Sequence, residues 1–159
     1  MPKPDEWMKH HKIEKPKNDN EYLERMSRVI LASGLNWRVI ENKWPGIKKA
    51  FAGFDIKKVS KFQELEIEEL MMNPDVIRNL AKIRAIVANS KTIQELSKEH
   101  GSFAAYLESV DKSGGEDLLK DQISKQFAFL GKGTTVIFLF AVGQNMPKAT
   151  KEWQARHAS

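Results

Sequence analysis

The segment from Phe127 to Gly143, FAFLGKGTTVIFLFAVG, sets an apolar helix end against a Gly-x-Gly turn and a second apolar run. This is the pattern of a helix-hairpin-helix. Gly131 and Gly133 let the backbone turn tightly and leave N–H groups at a helix N-terminus, where aligned peptide dipoles favour a phosphate oxygen. Lys132 adds a positive charge at the same place. The same residues also fit a plain glycine turn between two core helices. A nucleoside-triphosphate loop is excluded, because the glycines stand too close together and no Gly-Lys-Ser/Thr follows in the required register.

Other chemistry is narrowed by what the chain lacks. It has no cysteine, which removes disulfides, thiolate zinc sites and cysteine nucleophiles together. Its four histidines are His10, His11, His100 and His157; adjacent histidines seldom ligate together, so solvated tail residues are the better reading and neither a metal nor a cofactor is expected.

The elements that would position these groups read as helices. Tyr22, Leu23, Met26, Val29 and Ile30 recur at helical spacing from Asp19 onward, and Gly34 stops that run. Asn36 can cap a second helix carrying Trp37, Val39, Ile40 and Trp44, which Pro45-Gly46 is expected to interrupt. Asp55 can cap a helix with Ile56, Val59 and Phe62, and an acidic helix is expected from Glu64 to Met72. Asn73-Pro74-Asp75 predicts a helix start, with Val76, Ile77, Leu80, Ile83, Ile86 and Val87 on one face as far as about Ser90. Thr92 to Glu99 continues helically, and Ser102 can cap a short helix with Phe103, Tyr106 and Leu107. Asp111 to Glu116 reads as a loop, followed by helices over about 116–127 and 134–142. An all-α fold follows, in one domain over 19–145, with a flexible basic arm over 1–18 and a tail over 146–159.

Twenty-six Lys and Arg against 21 Asp and Glu give a net charge of +5, a balance that suits polyanionic partners without requiring one. Hydrophobic residues at 41% and charged residues at 30% lie in the ordinary globular range. No apolar stretch approaches the ~20 residues that span a bilayer, and the N-terminus lacks a signal-peptide core, so a cytoplasmic protein without membrane association is expected.

Several segments resemble, in order along the chain, those of the DNA-3-methyladenine glycosylase I family. GLNWRVIENKWPGIKKAFAGFDIKKVSKF is similar to its GLSW segment and the run that follows. NPDVIRNLAKIRAIVANSK resembles its central Ile-Arg-Asn helix, GSFAAYL the next helix, and KQFAFLGKGTTVIFLFAVG its DNA-binding hairpin. The resemblance implies a helix-hairpin-helix DNA glycosylase fold that grips phosphates with the hairpin and flips a damaged base into a pocket. It implies double-stranded DNA with alkylated bases as the partner, a monomer, and metal-free hydrolysis of the N-glycosidic bond.

Carried over position by position, Trp37 matches the tryptophan lining the base pocket, where a π-face suits an electron-poor alkylated base. By its spacing alone Trp37 is equally a core tryptophan. Gly131, Lys132, Gly133, Thr134 and Thr135 match the hairpin, and Arg78, Asn79 and Lys82 the central helix, implying DNA contacts; a solvated helix face accounts for the last three as well. The family's pocket glutamate, eight residues before the tryptophan, corresponds to Val29, which can neither accept a hydrogen bond nor stabilise positive charge. Glu24, about one turn away, is a possible substitute. Trp7 in Glu6-Trp7 echoes the family's N-terminal aromatic segment and is a further pocket candidate, whereas the Cys and His of the family's zinc site have no counterpart. Two functions follow: a base-excision repair glycosylase acting on alkylated adenine, or a non-catalytic DNA-binding relative that has lost the pocket glutamate and the zinc site.

Overall fold

The computed structural model describes residues 14–144 and 148–158; Trp7, His10 and His11 lie outside them. Helix α1, Asp19–Ala32, is capped by the Asn18 side chain, which accepts from the Glu21 N–H. Tyr22, Leu23, Met26, Val29, Ile30 and Leu31 are all buried, so apolar groups surround much of α1 instead of forming one stripe. A helix apolar over most of its surface is covered on several sides. It packs against α2, Trp37–Ala50, α5, Leu80–His100, and α8, Lys132–Ala141.

Helix α2 begins at the expected Asn36 cap but is not interrupted at Pro45-Gly46. Pro45 removes one backbone bond and is exposed, while Ile40, Trp44 and Ile47 stay buried on the other side. A proline inside a helix costs ~3 kcal/mol or more, and three large buried side chains contribute ~1.5–3 kcal/mol each, so burial wins. Gly46 has a different use: a Cβ there would stand 2.8 Å from the Asp75 Cβ, so the glycine lets the 73–75 turn approach the helix.

A 3-10 turn at Ala52–Phe54 leads into α3, Ile56–Val59, capped by Asp55, and α4, Glu64–Met72. The predicted helix start at Asn73-Pro74-Asp75 is not found. Asn73 ends α4, and its side chain accepts from the Asp75 N–H, which makes a turn instead of a cap. The start lies at Asn79, whose extended backbone and side-chain oxygen, 3.1 Å from the Lys82 N–H, form the N-cap of α5. Helix α5 then runs unbroken for 21 residues, past the expected end near Ser90.

Ser102 caps α6, Phe103–Ser109. Asp19 ties this corner to α1, accepting from the Phe103 N–H at 3.0 Å and from the Ser97 hydroxyl. Helix α7, Gly115–Ser124, starts inside the predicted loop and ends before Phe127. Helix α8 starts two residues earlier than expected. Residues 148–158, predicted as tail, include α9, Lys151–His157, joined to the 111–115 loop by a bond from the Thr150 N–H to the Ser113 carbonyl and a bridge between Gly114 and Ala149. The described part of the arm is also tied down: Arg25 donates to the Glu14 carbonyl and to the Ala141 carbonyl at the end of α8.

Apart from that one bridge, the regular structure of the described residues is helical, and Phe51, Phe54, Phe103 and Phe138 fill the core between the helices. No helix among them is long and apolar enough to cross a membrane.

Candidate nucleic-acid interface

The hairpin turn is made differently from the expectation. Gly131, the N-cap of α8, has φ −73° and ψ 180°, ordinary extended backbone, and a Cβ there would meet nothing within 4 Å. The left-handed residue is Phe129, at φ 62° and 40% exposed. A bulky residue in that region is a strained position, and it needs an external hold. Asn89, buried on α5, supplies one: its amide donates to the Ala128 carbonyl at 2.9 Å and its oxygen accepts from the Ala128 N–H at 2.8 Å.

Gly131, Lys132 and Gly133 are exposed. Helix geometry leaves the N–H groups of Lys132 and Gly133 without an intrahelical acceptor, in the positive end of the helix dipole. Thr134 and Thr135, expected among the phosphate contacts, are buried, and the Thr135 hydroxyl donates to the Leu130 carbonyl. Their side chains secure the turn from below and are not offered to a ligand.

A second loop, residues 33–36, joins α1 to α2. Gly34 takes φ 77° there, a conformation natural to glycine. Leu35 is 38% exposed, and the Asn36 side chain caps α2 through the Arg38 N–H at 2.9 Å. Trp37 opens α2 and is half-buried, with the Arg38 guanidinium 5.5 Å from its ring centre.

Lys82 connects the two loops. Sequence reading assigned it to DNA, but it is only 5% exposed, and its ammonium donates to the carbonyls of Leu31, at 3.2 Å, and Ser33, at 2.6 Å. The same ammonium lies 6.0 Å from the centre of the Phe129 ring. Burial pushes the Lys82 pKa below its ordinary value. Arg78 is exposed beside it, and Asn79 is occupied as the cap of α5.

Val29 is 3% exposed and packs with Ile137 and Ala141 of α8. Glu24 does not take the place of the missing carboxylate. It accepts from Trp44 Nε1 at 2.9 Å and pairs with Lys48 at 3.2 Å, on the side of α1 that faces α2. Arg28 sits over the Trp44 ring at 4.6 Å and pairs with Glu41 at 2.9 Å, and burial lowers its pKa. Of the histidines within the described residues, His100 lies edge-on to Tyr106 and His157 stacks on Trp153. Among the described residues no three His, Cys, Asp or Glu could together hold a metal ion.

Sequence reading missed Phe129, Asn89 and Leu35. An aromatic residue two places before Gly131, and a large apolar residue between Gly34 and a capping asparagine, were the available signals for the first and last. Asn89 carries no such mark, because its partner is a backbone 39 residues away.

The fold is that of the helical 3-methyladenine DNA glycosylases. One crystal structure, of a variant of 3-methyladenine DNA glycosylase I in complex with 3-methyladenine, superposes with a TM-score of 0.72 at 23% identity, over 87% of this chain and 86% of that one. The corresponding protein from Staphylococcus aureus gives 0.71 at 24% identity, over 81% and 78%. The chain itself belongs to the methyladenine glycosylase family, whose pattern it matches over residues 5–128. A DNA-3-methyladenine glycosylase of Haemophilus influenzae is 28% identical over 81% of this chain and 80% of its own. The Escherichia coli DNA-3-methyladenine glycosylase 1 is 29% identical over a shorter stretch, 47% of this chain and 40% of its own.

Proposed function

We propose that this protein is a DNA glycosylase that removes 3-methyladenine from alkylated duplex DNA. The observation that carries the reading is the juxtaposition of two loops in a chain of this family: the Trp37 loop and the glycine hairpin, joined through Lys82. The exposed N–H groups of Lys132 and Gly133 and the Lys132 ammonium bind backbone phosphate, with Arg78 as an outlying charge. A base turned out of the duplex stacks on Trp37.

The chemistry asks little of the protein. Methylation at N3 leaves the adenine positively charged, so when the bond from C1′ of deoxyribose to N9 breaks, the electron pair goes to a base that departs neutral. Water then adds to C1′ and loses its proton to solvent. No acid is needed to protonate the leaving group, so Val29 in place of a carboxylate is compatible with turnover, at a lower rate and with weaker discrimination.

One observation favours a second reading, a DNA-binding relative without catalysis: the Val29 side chain is closed against Ile137 and Ala141, and the neighbouring Glu24 is engaged by Trp44 and Lys48. Release of free 3-methyladenine from methylated duplex DNA, with binding to that DNA followed at two salt concentrations, separates them. Release supports the glycosylase. Salt-dependent binding without release supports the second reading, and neither result would overturn both.

A further inference from the structure

Helix α5 carries two polar side chains in its buried face, Lys82 and Asn89, 5% and 1% exposed. Seven residues apart, they lie two turns from each other on the same side of the helix, separated by roughly 10 Å along its axis. Neither meets a side-chain partner of opposite charge in the contacts described above; both bind main chain. Lys82 holds the carbonyls of Leu31 and Ser33, immediately before Gly34 and Leu35. Asn89 holds both polar groups of Ala128, immediately before the left-handed Phe129.

A buried ammonium without an acid is an expensive way to end a helix, since methionine or leucine would fill the space without desolvation. What it provides is direction. Three donors on a flexible stem can bind two carbonyls of the last turn of α1 at once, and the Phe129 ring 6.0 Å away gives the charge a second contact on the hairpin. Asn89 acts as an extra backbone unit, matching a donor and an acceptor to one residue. Each loop adjoins a conformation that it would not hold alone: positive φ at Gly34 in one, positive φ at Phe129 in the other.

We propose that Lys82 and Asn89 form a clamp on α5 that fixes the spacing and orientation of the Trp37 loop relative to the glycine hairpin. They are positioning residues, acting through the two loops and not on a base. The clamp rests on the proposed glycosylase reading only for its consequence, which is that phosphate grip and base stacking keep the register that excision requires.

Because the chain has no cysteine, spin labels can be placed at Leu35→Cys and Lys132→Cys alone, both exposed positions, and the distance between them read by pulsed electron resonance without DNA. The parent should give one narrow distribution. Adding Lys82→Met or Asn89→Leu should broaden or shift it while helix content, followed by circular dichroism, is retained. In the unlabelled chain the same changes should lower kcat for 3-methyladenine release by about tenfold or more, the scale of a sub-ångström to 1 Å misplacement, with a smaller change in KM. An unchanged distribution in folded Lys82→Met and Asn89→Leu proteins would overturn the clamp. If Lys82→Met does not fold, Asn89→Ser tests the hairpin half, and a parent-like distribution there is equally fatal. A parent chain that releases no base speaks against the glycosylase reading alone, since the distance is measured without turnover.

Discussion

Restoring a carboxylate at the pocket position, Val29→Glu, tests whether that position is an interior packing site. Val29 is 3% exposed and touches Ile137 and Ala141. Losing the branched methyls removes about 1 kcal/mol of burial. A carboxyl group buried there without a partner costs about 1–3 kcal/mol even when neutral. The longer side chain forces the α1–α8 contact apart, at about 1–3 kcal/mol more. The total is about 3–7 kcal/mol, and for a chain of this length even the lower end lowers Tm by about 6 °C. Burial also raises the folded-state pKa of the new carboxyl above its unfolded value near 4.3, so the folded state binds more protons between those two values. The variant therefore loses stability as pH rises through that window, and the gap from the parent should be larger at pH 8 than near pH 4.5. Thermal melts of both proteins across this range measure it, with duplex affinity in parallel, since Ile137 and Ala141 belong to the hairpin helix. A variant melting within about 2 °C of the parent at pH 8 would refute the reasoning, because a charge tolerated so easily has reached water.

Gly133→Asp puts a carboxylate beside the free N–H groups of α8, and affinity for unmodified duplex should fall by about tenfold or more with a shallower salt dependence; unchanged filter-binding curves would remove the hairpin from the interface. Trp37→Ala should cut 3-methyladenine release while leaving nonspecific duplex binding within about threefold, because stacking acts on the flipped base and not on phosphate. Equal losses in both assays would make Trp37 a structural residue. Asp19→Ala removes the acceptor for the Phe103 N–H and the Ser97 hydroxyl, and denaturant unfolding should show a loss of about 1–3 kcal/mol. A loss below about 0.5 kcal/mol would mean that water replaces both bonds.

Most of the helical pattern was legible because capping and periodicity are local. Asn36, Asp55 and Ser102 cap helices where their spacing says they should, and the buried faces of α1 and α5 follow the apolar repeats. Local signals failed where two of them competed. Asn73 and Asn79 are both capable caps, and the choice between them rests on which backbone is extended after α4 closes. At Pro45 the local cost was outweighed by Trp44 and Ile47, buried against elements that follow later in the chain.

The sequence by itself determined the helical class, the order of the elements, the absence of thiol chemistry, and the family, because each depends on residue types and short spacings. Tertiary structure alone decided what the side chains of the site do. Lys82 looks like a surface lysine on a helix, yet its charge is turned inward to carbonyls about 50 residues earlier, and Val29 is closed off by a helix more than 100 residues later. Burial and hydrogen-bond partners of this kind are set by long-range packing, which no spacing within a single helix encodes.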